Sequence, residues 1–240
     1  MEMAGLGTIV NVLAVIAAGL IGRLFGRFLT RRFQNIILMS AGICVIFIGI
    51  SGAMAQMLTI TNGKITTQGT MMMIGSIVIG ALIGEFLNIE AHMEGFGVWL
   101  RDLTGNAGDN AFVGGFVQAS LTICIGAMAV VGSIEDGISG DHTILFAKAV
   151  LDFIIIIIMT SSLGIGCLFS AISVGVFQGV ITLLSGFMQP FLTPAAMSNL
   201  SLTGSIMICC VGINLCFGRK IKVGNMLPGL VIAVIWALAV

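Results

Sequence analysis

The fold is decided by the apolar run at residues 144–188, ILFAKAVLDFIIIIIMTSSLGIGCLFSAISVGVFQGVITLLSGFM. A bilayer core of about 30 Å takes roughly 20 apolar residues per helix, so this run is too long for one span. Ser161, Ser162, Gly164 and Gly166 interrupt it near the middle. We therefore predict two transmembrane helices that meet at this break.

The composition places the whole chain in the membrane. Of its 240 residues 58% are hydrophobic and 8% are charged, whereas soluble domains have about 25% charged residues. Lys plus Arg equals Asp plus Glu at ten each, so we expect no basic surface and no nucleic-acid partner. The hydrophobicity continues to Val240, and we expect no cleaved signal peptide but one transmembrane domain over 1–240.

Further apolar stretches complete the span count, which predicts an all-α polytopic protein of about eight transmembrane helices. Seven spans or a re-entrant hairpin are the alternatives. Besides the two halves of 144–188, the stretches lie near 6–25, 35–58, 70–87, 111–133, 200–217 and 222–240.

The positive charges give the topology, because cytoplasmic loops carry the excess of Lys and Arg. With eight spans, only Lys64 and Lys148 lie on the outer side, and we predict that both termini face outward. Without the break at 161–166, the basic residues at 219–222 would lie on the opposite side of the membrane from those at 23–32. The inner side then carries Arg23, Arg27, Arg31, Arg32, Arg101, Arg219, Lys220 and Lys222.

The polar segment 88–110 is the largest internal loop, and it contains a helical stripe. We predict a cytoplasmic loop with an interfacial helix, whose ordinary role would be to anchor the loop at the membrane. The stripe consists of Ile89, Met93, Phe96, Leu100 and Leu103.

Two internal similarities suggest a repeat. Residues 7–22 and 75–85 both contain a Leu-Ile-Gly step near their ends, and residues 29–50 align without gaps on 192–213. The second pair runs in opposite directions in the predicted topology. This predicts an inverted repeat, in which helices one to three correspond to six to eight around a central pair, as in many secondary transporters.

Three GxxxG spacings allow close helix packing, either within the chain or in a homo-oligomer. They lie at Gly22 and Gly26, Gly80 and Gly84, and Gly175 and Gly179.

Charged residues inside a span are expensive and are functional candidates. Lys148 and Asp152 lie four residues apart on one helix face. A neutralised pair whose lysine reaches the membrane surface would account for Lys148. Asp152 lies one turn deeper, and for it we weigh function and structural pairing equally.

Amides within spans need partners that lipid does not offer. Asn11, Gln118, Gln178 and Asn214 are in this position. Gln118 belongs to a helix with several hydroxyls and with glycines at 126 and 132, which we predict to line an aqueous path. Hydrogen bonding between helices is the alternative.

Four polar residues near span ends are further candidates. Glu85 is a boundary charge or the gate of an internal vestibule. The external segment 131–142 contains Glu135 and Asp136 and is either an acidic mouth for cations or a solvated turn. Asn225 precedes a proline, which favours a simple helix start over a substrate-binding broken helix.

The sequence gives little support for a catalytic or metal-binding function. The six cysteines lie in apolar runs without CxxC spacing, no HExxH, GxSxG or Walker motif occurs, and both histidines lie outside the spans. We predict neither an enzyme nor a bound metal or cofactor.

The motifs GTIVNVLA at 7–14, GALIGE at 80–85, GAMAVVGSIEDG at 126–137, KAVLD at 148–152, LGIG at 163–166 and VGNMLPG at 223–229 occur in an order that resembles a bacterial family. The chain is similar to the YqgA/YdfK-like family of uncharacterised inner-membrane proteins over about residues 7–230. The resemblance implies an inner-membrane location and a shared fold, and it carries over no functional residue.

The leading hypothesis is a transporter or channel-like protein for a small solute or ion, which is not driven by ATP. Asp152 would couple charge, Lys148 would tune it, and Gln118, Asn11 and Asn214 would contact the solute. Asp136 and Glu135 would line the external entrance. The alternative is a membrane scaffold or regulatory subunit, in which the polar residues only join helices.

Overall fold

The computed structural model describes residues 4–61, 64–105, 111–125, 127–191 and 193–239, without the side chains of Thr61 and Ala127. Within these ranges the chain is helical apart from one short hairpin. The α-helices are α1 (Leu6–Phe28), α2 (Arg31–Met57), α3 (Thr70–Leu87), α4 (Ile89–Leu103), α5 (Ala111–Cys124), α6 (Ala127–Ile138), α7 (Thr143–Leu163), α8 (Ser170–Met188), α9 (Pro194–Phe217) and α10 (Pro228–Ala239). Short 3₁₀ turns cover Ile165–Phe169, Gln189–Phe191 and Val223–Met226.

The all-α polytopic class is confirmed, and a helix lies at each of the eight predicted positions. Among the described residues, six helices are long and apolar enough to span a membrane: α1, α2, α3, α7, α9 and the segment Ile165–Phe191 that includes α8. The predicted span at 111–133 is a pair, α5 and α6, bent by 63°. The last segment, Val223–Ala239, is apolar but shorter.

The break predicted within 144–188 is present. Helix α7 ends at Gly164, whose φ of +93° suits glycine and whose N–H donates to the Thr160 carbonyl at 3.1 Å. The 3₁₀ turn at Ile165–Phe169 then leads into α8.

The chain divides into two compact units. Unit 1 comprises residues 1–41, 91–124 and 128–189, and unit 2 comprises 42–90, 125–127 and 190–240. Buried side chains of unit 1 include Phe112, Phe116, Leu145, Ile156 and Met159. The core of unit 2 is formed by Met72, Leu202 and Ala233, and Trp236 packs against it.

Large apolar side chains cover the outside of the spanning helices. Phe86 is 90% exposed, Leu183 85% and Phe187 74%. Exposed apolar surface of this extent is unfavourable in water and favourable in hydrocarbon. The surface is therefore that of a protein embedded in a membrane.

Helices α1 and α7 pack closely and in parallel. A Cβ atom at Gly7 would lie 2.8 Å from the Leu145 Cβ, near the start of both helices. Near their ends, a Cβ atom at Gly26 would lie 2.9 Å from the Ser161 carbonyl oxygen. Only glycine lets the two backbones approach this closely.

Two of the three GxxxG spacings pack within the chain. Gly22 and Gly26 face α7, and an added Cβ at Gly80 or Gly84 would meet the backbone of Gly229 or Asn225. At the third spacing, an added Cβ at Gly175 would lie 3.3 Å from the Val12 Cγ2 on α1, whereas one at Gly179 would have no heavy atom within 4 Å. Among the three spacings, Gly179 on α8 is therefore the position left open for the predicted homo-oligomer.

The hairpin was not anticipated from the sequence. Strands β1 (Leu58–Thr61) and β2 (Lys64–Thr67) pair antiparallel, with Leu58 opposite Thr67 and Ile60 opposite Ile65. Their alternating Thr and Ile residues favour extended backbone. The hairpin connects α2 to α3.

The stripe predicted in segment 88–110 lies on α4, which begins after Asn88 in a left-handed conformation with φ of 51°. Phe96 and Trp99 on this helix stack with ring centroids 5.5 Å apart. The position of α4 at the membrane surface stays a prediction, and residues 106–110 lie outside the described residues.

Candidate functional site

Four polar side chains meet inside unit 1. Asn11 comes from α1, Lys148 and Asp152 from α7, and Gln178 from α8. Their exposed fractions are 0%, 6%, 4% and 1%, respectively. Three of the four were candidate site residues and Gln178 was recognised as a buried amide, so the structure brings together residues that lie far apart in the sequence.

Asp152 is the centre of this group, which we call the Asp152 cluster. The Lys148 ammonium and the Asp152 Oδ2 are in direct contact, as the spacing of four residues predicts. The Asn11 Nδ2 donates to the same Oδ2 at 3.0 Å and to the Gln178 Oε1 at 3.4 Å. The carboxylate therefore receives both a cation and a neutral donor.

Close packing of glycines brings Asn11 to Asp152. The amide lies between Gly7 and Gly22 on α1, at both of which a side chain would collide with α7. At Gly22 an added Cβ would lie 2.6 Å from the Ile157 carbonyl oxygen. A short polar side chain between these glycines can therefore reach the carboxylate on the neighbouring helix.

The ammonium of Lys148 also contacts α5, the first helix of the bent pair α5 and α6. It donates to the carbonyl oxygen of Ile123 at 2.6 Å. Ile123 lies in the last turn of α5, where carbonyl groups have no partner within the helix and the dipole favours a cation. The Lys148 ammonium is therefore buried between a carbonyl and a carboxylate of unit 1.

Two amide atoms of the cluster have no hydrogen-bond partner among the described residues. They are the Asn11 Oδ1 and the Gln178 Nε2, and the hydroxyl of Thr8, one turn before Asn11, is in the same state. Most buried polar atoms in proteins are paired. An unpaired acceptor and an unpaired donor beside an ion pair can bind a further polar ligand.

Gln118 lies outside this cluster. It is buried on α5, and its backbone carbonyl accepts the Thr122 hydroxyl at 2.7 Å. Two residues further along, the Ser120 and Ser173 hydroxyls are 2.8 Å apart and join α5 to α8. Gly126, a predicted small residue of this helix, lies outside the described residues.

A second polar cluster lies in unit 2. The Asn225 Nδ2 donates to the Glu85 Oε2 at 2.6 Å, and the Lys222 Nζ donates to the Glu85 Oε1 at 2.6 Å. The Asn225 Oδ1 accepts the backbone N–H of Glu90 at 2.7 Å. Glu85 and Asn225 thus stabilise the 3₁₀ turn before α10. Asn225 lies just before the first residue of α10, which is consistent with the helix start that the sequence favoured.

Glu90 and Arg219 were not among the predicted site residues. The Arg219 Nη2 donates to the Glu90 Oε1 at 2.7 Å, and the Gly224 N–H donates to the Glu90 Oε2 at 3.0 Å. Glu90 is buried. Its partners lie more than a hundred residues away, and no spacing in the sequence relates them.

Asn214 organises the basic loop that follows α9. Its Oδ1 accepts the backbone N–H groups of Lys220 and Ile221, both at 2.9 Å, and its Nδ2 donates to the Ile221 carbonyl at 2.7 Å. All of these contacts are with the loop backbone. The solute contact proposed from the sequence for Asn214 has no support from this geometry.

The segment 131–142, which we expected to be an external loop, is helical as far as Ile138. Asp136 is fully buried, and its Oδ1 lies 2.5 Å from the His142 Nδ1. An added Cβ at Gly137 would lie 2.5 Å from the Thr182 carbonyl oxygen, so α6 lies directly on α8. Close packing at Gly137 therefore buries part of this polar segment as a helix. Glu135, next to Asp136, is half-buried.

Asp141 stays exposed at the start of α7. Its Oδ1 accepts the Thr143 backbone N–H at 2.9 Å. Hydrogen bonds from Thr143 lower the pKa of the Asp141 carboxyl. This residue caps a helix.

The described residues contain no group of three or more His, Cys, Asp and Glu side chains placed to hold a metal ion. All six cysteines are free thiols.

These features define a polytopic helical membrane protein with a buried ion pair at a broken helix. The chain belongs to the family described as "Protein of unknown function (DUF554)", which matches residues 6–238. This confirms the family resemblance seen in the motifs.

Two relatives cover nearly the whole chain. The uncharacterised membrane protein YdfK of Bacillus subtilis (strain 168) is 27% identical over 226 residues, which are 94% of this chain and 93% of the relative. The uncharacterised protein YqgA of Escherichia coli (strain K12) is 25% identical over 232 residues, 95% of this chain and 94% of the relative. No solved structure matches the chain.

Proposed function

We propose that this protein is a secondary transporter of the inner membrane, which moves a small solute or ion without ATP. The observation that carries the proposal is the Asp152 cluster. It combines a buried ion pair, the adjacent bend between α5 and α6, and two amide atoms that have no partner among the described residues. Transporters commonly place ion and substrate sites at such broken helices.

Energetics argue against a purely structural role for the pair. A charge within a span costs at least about 2.5 kcal/mol. A buried ion pair can often be replaced by apolar residues with no loss of stability. A bundle that needed only packing would therefore do as well with leucine and methionine in place of Asp152 and Lys148.

The geometry supports charge coupling at Asp152. A proton that binds the carboxylate cancels its charge and removes the counter-ion of the Lys148 ammonium, whose other contact among the described residues is the Ile123 carbonyl. Loss of that proton restores the ion pair. The two protonation states favour different positions of the ammonium, and such a difference can bias a conformational equilibrium.

The parallel packing of α1 and α7 supports the eight-span topology. Two helices point the same way only if an odd number of crossings lies between them. Helices α2 and α3 supply two crossings, so the bent pair of α5 and α6 supplies the third. In this topology both termini face outward, as the positive charges predict.

Packing of α2 on α9 supports the proposed inverted repeat. In the alignment of 29–50 with 192–213, Gly42 corresponds to Ser205, and Gly49 corresponds to Gly212. The first aligned position of the second segment, 192, lies outside the described residues. An added Cβ at Gly42 would lie 3.0 Å from the Gly212 carbonyl oxygen, and one at Gly49 2.7 Å from that of Ser205. These reciprocal contacts are those expected of antiparallel helices related by a two-fold axis.

The test is proton flux into proteoliposomes that contain a pH-sensitive dye. Outward gradients of Na⁺, K⁺, amino acids and carboxylic acids are imposed in turn, with protein-free liposomes as the baseline. We expect one gradient to drive flux in the wild type and Asp152→Asn to abolish it. The matched control is Asp102→Asn, which alters an exposed aspartate on α4.

Failure of every gradient to drive flux with the folded wild type would reject proton-coupled transport. Flux that Asp152→Asn leaves intact would remove this carboxylate from the mechanism.

The scaffold function is a second candidate, supported by the open face of α8. Gly179 and Gly186 have nothing within 4 Å of an added Cβ, and Val176 and Leu183 beside them are exposed. A small-residue face of this kind can receive another helix in lipid. Cross-linking of Gly179→Cys between copies in membranes would support it.

A further inference from the structure

A polar cavity of about 530 Å³ lies within unit 1, where α1 ends and α2 begins. Three arginines line it, together with two amides and three hydroxyl side chains from the end of α7. The lining includes Arg23, Arg27, Arg31, Gln34, Asn35 and Thr160.

None of the three arginines forms an ion pair with a carboxylate in the described part of the chain. The ion pairs there involve other basic residues: Arg101, His142, Lys148, Arg219 and Lys222. Three guanidinium groups around one cavity repel each other, and a bound anion would remove that repulsion.

The start of α2 adds positive potential to the same cavity. Its first two residues are Arg31 and Arg32, and its first turn contains no acidic residue. The N-terminal end of a helix carries partial positive charge and free N–H groups, which favour an anion. Arg31 and Arg32 are exposed at this end, and a bound anion would offset their unfavourable interaction with the helix dipole.

Hydrogen bonds hold the walls of the cavity in place. The Gln34 Nε2 donates to the carbonyl oxygens of Gly26 at 3.0 Å and Leu29 at 3.2 Å, which fixes the corner between α1 and α2. The Ser162 hydroxyl donates to the Gln34 carbonyl at 3.0 Å and joins this corner to α7.

Thr160 adds a hydroxyl to the cavity. It is 3% exposed and lines the cavity, and among the described residues its hydroxyl contacts the Cys167 thiol but no oxygen or nitrogen partner. A hydroxyl bonded only to a weak thiol partner can donate to a bound anion. The cavity therefore presents arginines, a helix N-terminus and this hydroxyl together.

We propose that this cavity binds a phosphate group. Guanidinium groups bind phosphate through paired, charge-assisted hydrogen bonds, and a helix N-terminus binds the same group. The phosphate belongs either to the headgroup of an anionic lipid or to free phosphate in solution. This inference is independent of the proposed transport.

The experiment measures binding by the full chain, purified in detergent and stripped of lipid. One probe is phosphatidylglycerol in mixed micelles, with phosphatidylcholine as its neutral counterpart, and the other is inorganic phosphate. The variants are Arg27→Gln, Arg27→Lys, the triple change of Arg23, Arg27 and Arg31 to Gln, and the matched control Arg32→Gln. Arg32 neighbours Arg31 but does not line the cavity.

We expect Arg27→Gln to weaken binding about tenfold, since one charge-assisted contact is lost, and Arg27→Lys to weaken it less. The triple variant should lose binding, whereas Arg32→Gln, which removes a nearby charge but no contact from the lining, should weaken binding less than Arg27→Gln. Phosphatidylglycerol binding that millimolar phosphate does not displace identifies a lipid headgroup. Binding of inorganic phosphate itself identifies the free anion.

Two results would overturn the proposal. One is a wild-type chain, folded by its helical circular dichroism, that prefers neither probe over phosphatidylcholine micelles or buffer. The other is an equal loss of binding in Arg27→Gln and Arg32→Gln, which would indicate general surface charge. Because binding is read without flux, failure here is distinguishable from failure of the transport test.

Discussion

The Asn11 amide on α1 donates to the Asp152 carboxylate on α7 at 3.0 Å, across 141 positions of sequence. Asp152 also contacts Lys148 on its own helix. One carboxylate thus joins a local ion pair to a distant helix, and it can be tested both for its contribution to stability and for its role in the proposed transport.

Removing one member of the ion pair should destabilise the protein more than removing both. Lys148→Met leaves the Asp152 charge buried with only an amide donor, and we expect a loss of about 3–5 kcal/mol. The double change, Lys148→Met with Asp152→Leu, should restore most of that stability while flux stays absent. Unfolding in mixed micelles measures the first effect, and the proteoliposome assay measures the second. Wild-type flux in the double variant would reject a functional role for the pair.

The close contact between α1 and α7 should not tolerate a side chain. Gly22→Ala places a Cβ 2.6 Å from the Ile157 carbonyl oxygen, so the helices must separate. We expect a loss of about 2 kcal/mol or more. Gly179→Ala is the matched control, since its Cβ meets no heavy atom within 4 Å, and alanine should be neutral or favourable there. Equal thermal stability of the two variants would contradict the close packing.

Water should reach Thr8 if the Asp152 cluster lies on a transport path. In a background without native cysteines, we expect Thr8→Cys to react with a charged, membrane-impermeant thiol reagent. Leu13→Cys on the same helix is the control, because Leu13 is exposed at the apolar surface and should face lipid. A Thr8→Cys variant as unreactive as the control would indicate a dry bundle and favour the scaffold function.

The loop after α9 should loosen when Asn214 is changed. Asn214→Ala removes three hydrogen bonds to the backbone of Lys220 and Ile221. We expect trypsin to cut at Arg219 and Lys220 several-fold faster, since proteolysis follows local opening. Asn199→Ala, which removes a bond to the Ala233 carbonyl at 3.2 Å, is the control. An unchanged cleavage rate would show that other contacts hold the loop.

The cap at Asp141 should contribute to acid stability. Because hydrogen bonds from Thr143 lower its pKa in the folded state, its contribution is present above the unfolded pKa of about 3.9. That contribution is lost as the pH falls through the lower, folded value. Asp141→Asn should therefore reduce the decline of stability below about pH 4, with Glu135→Gln as the control. Superimposable acid unfolding curves for the wild type and Asp141→Asn would show that the hydrogen bond between Asp141 and Thr143 does not contribute to acid stability.

The sequence by itself determined the membrane class, the positions of the spans and the contact between Lys148 and Asp152. Each depends on local information: a run of apolar residues long enough to cross hydrocarbon, glycines that end a helix at 164, or a spacing of four residues within one helix. The amphipathic helix α4 was predictable for the same reason, from its stripe of apolar residues.

Only the tertiary structure decided which distant groups meet. Gln178 joins Asn11 and Asp152, Glu90 pairs with Arg219, and the acidic segment expected to form an outer loop buries Asp136 on α8. These contacts depend on which helix faces approach closely enough, and that is set by glycines packing against backbones far along the chain. The periodicity of one helix does not show which helix packs against it. In lipid every apolar face is equally well solvated, so only the complementary shape of two helix surfaces determines which faces pair.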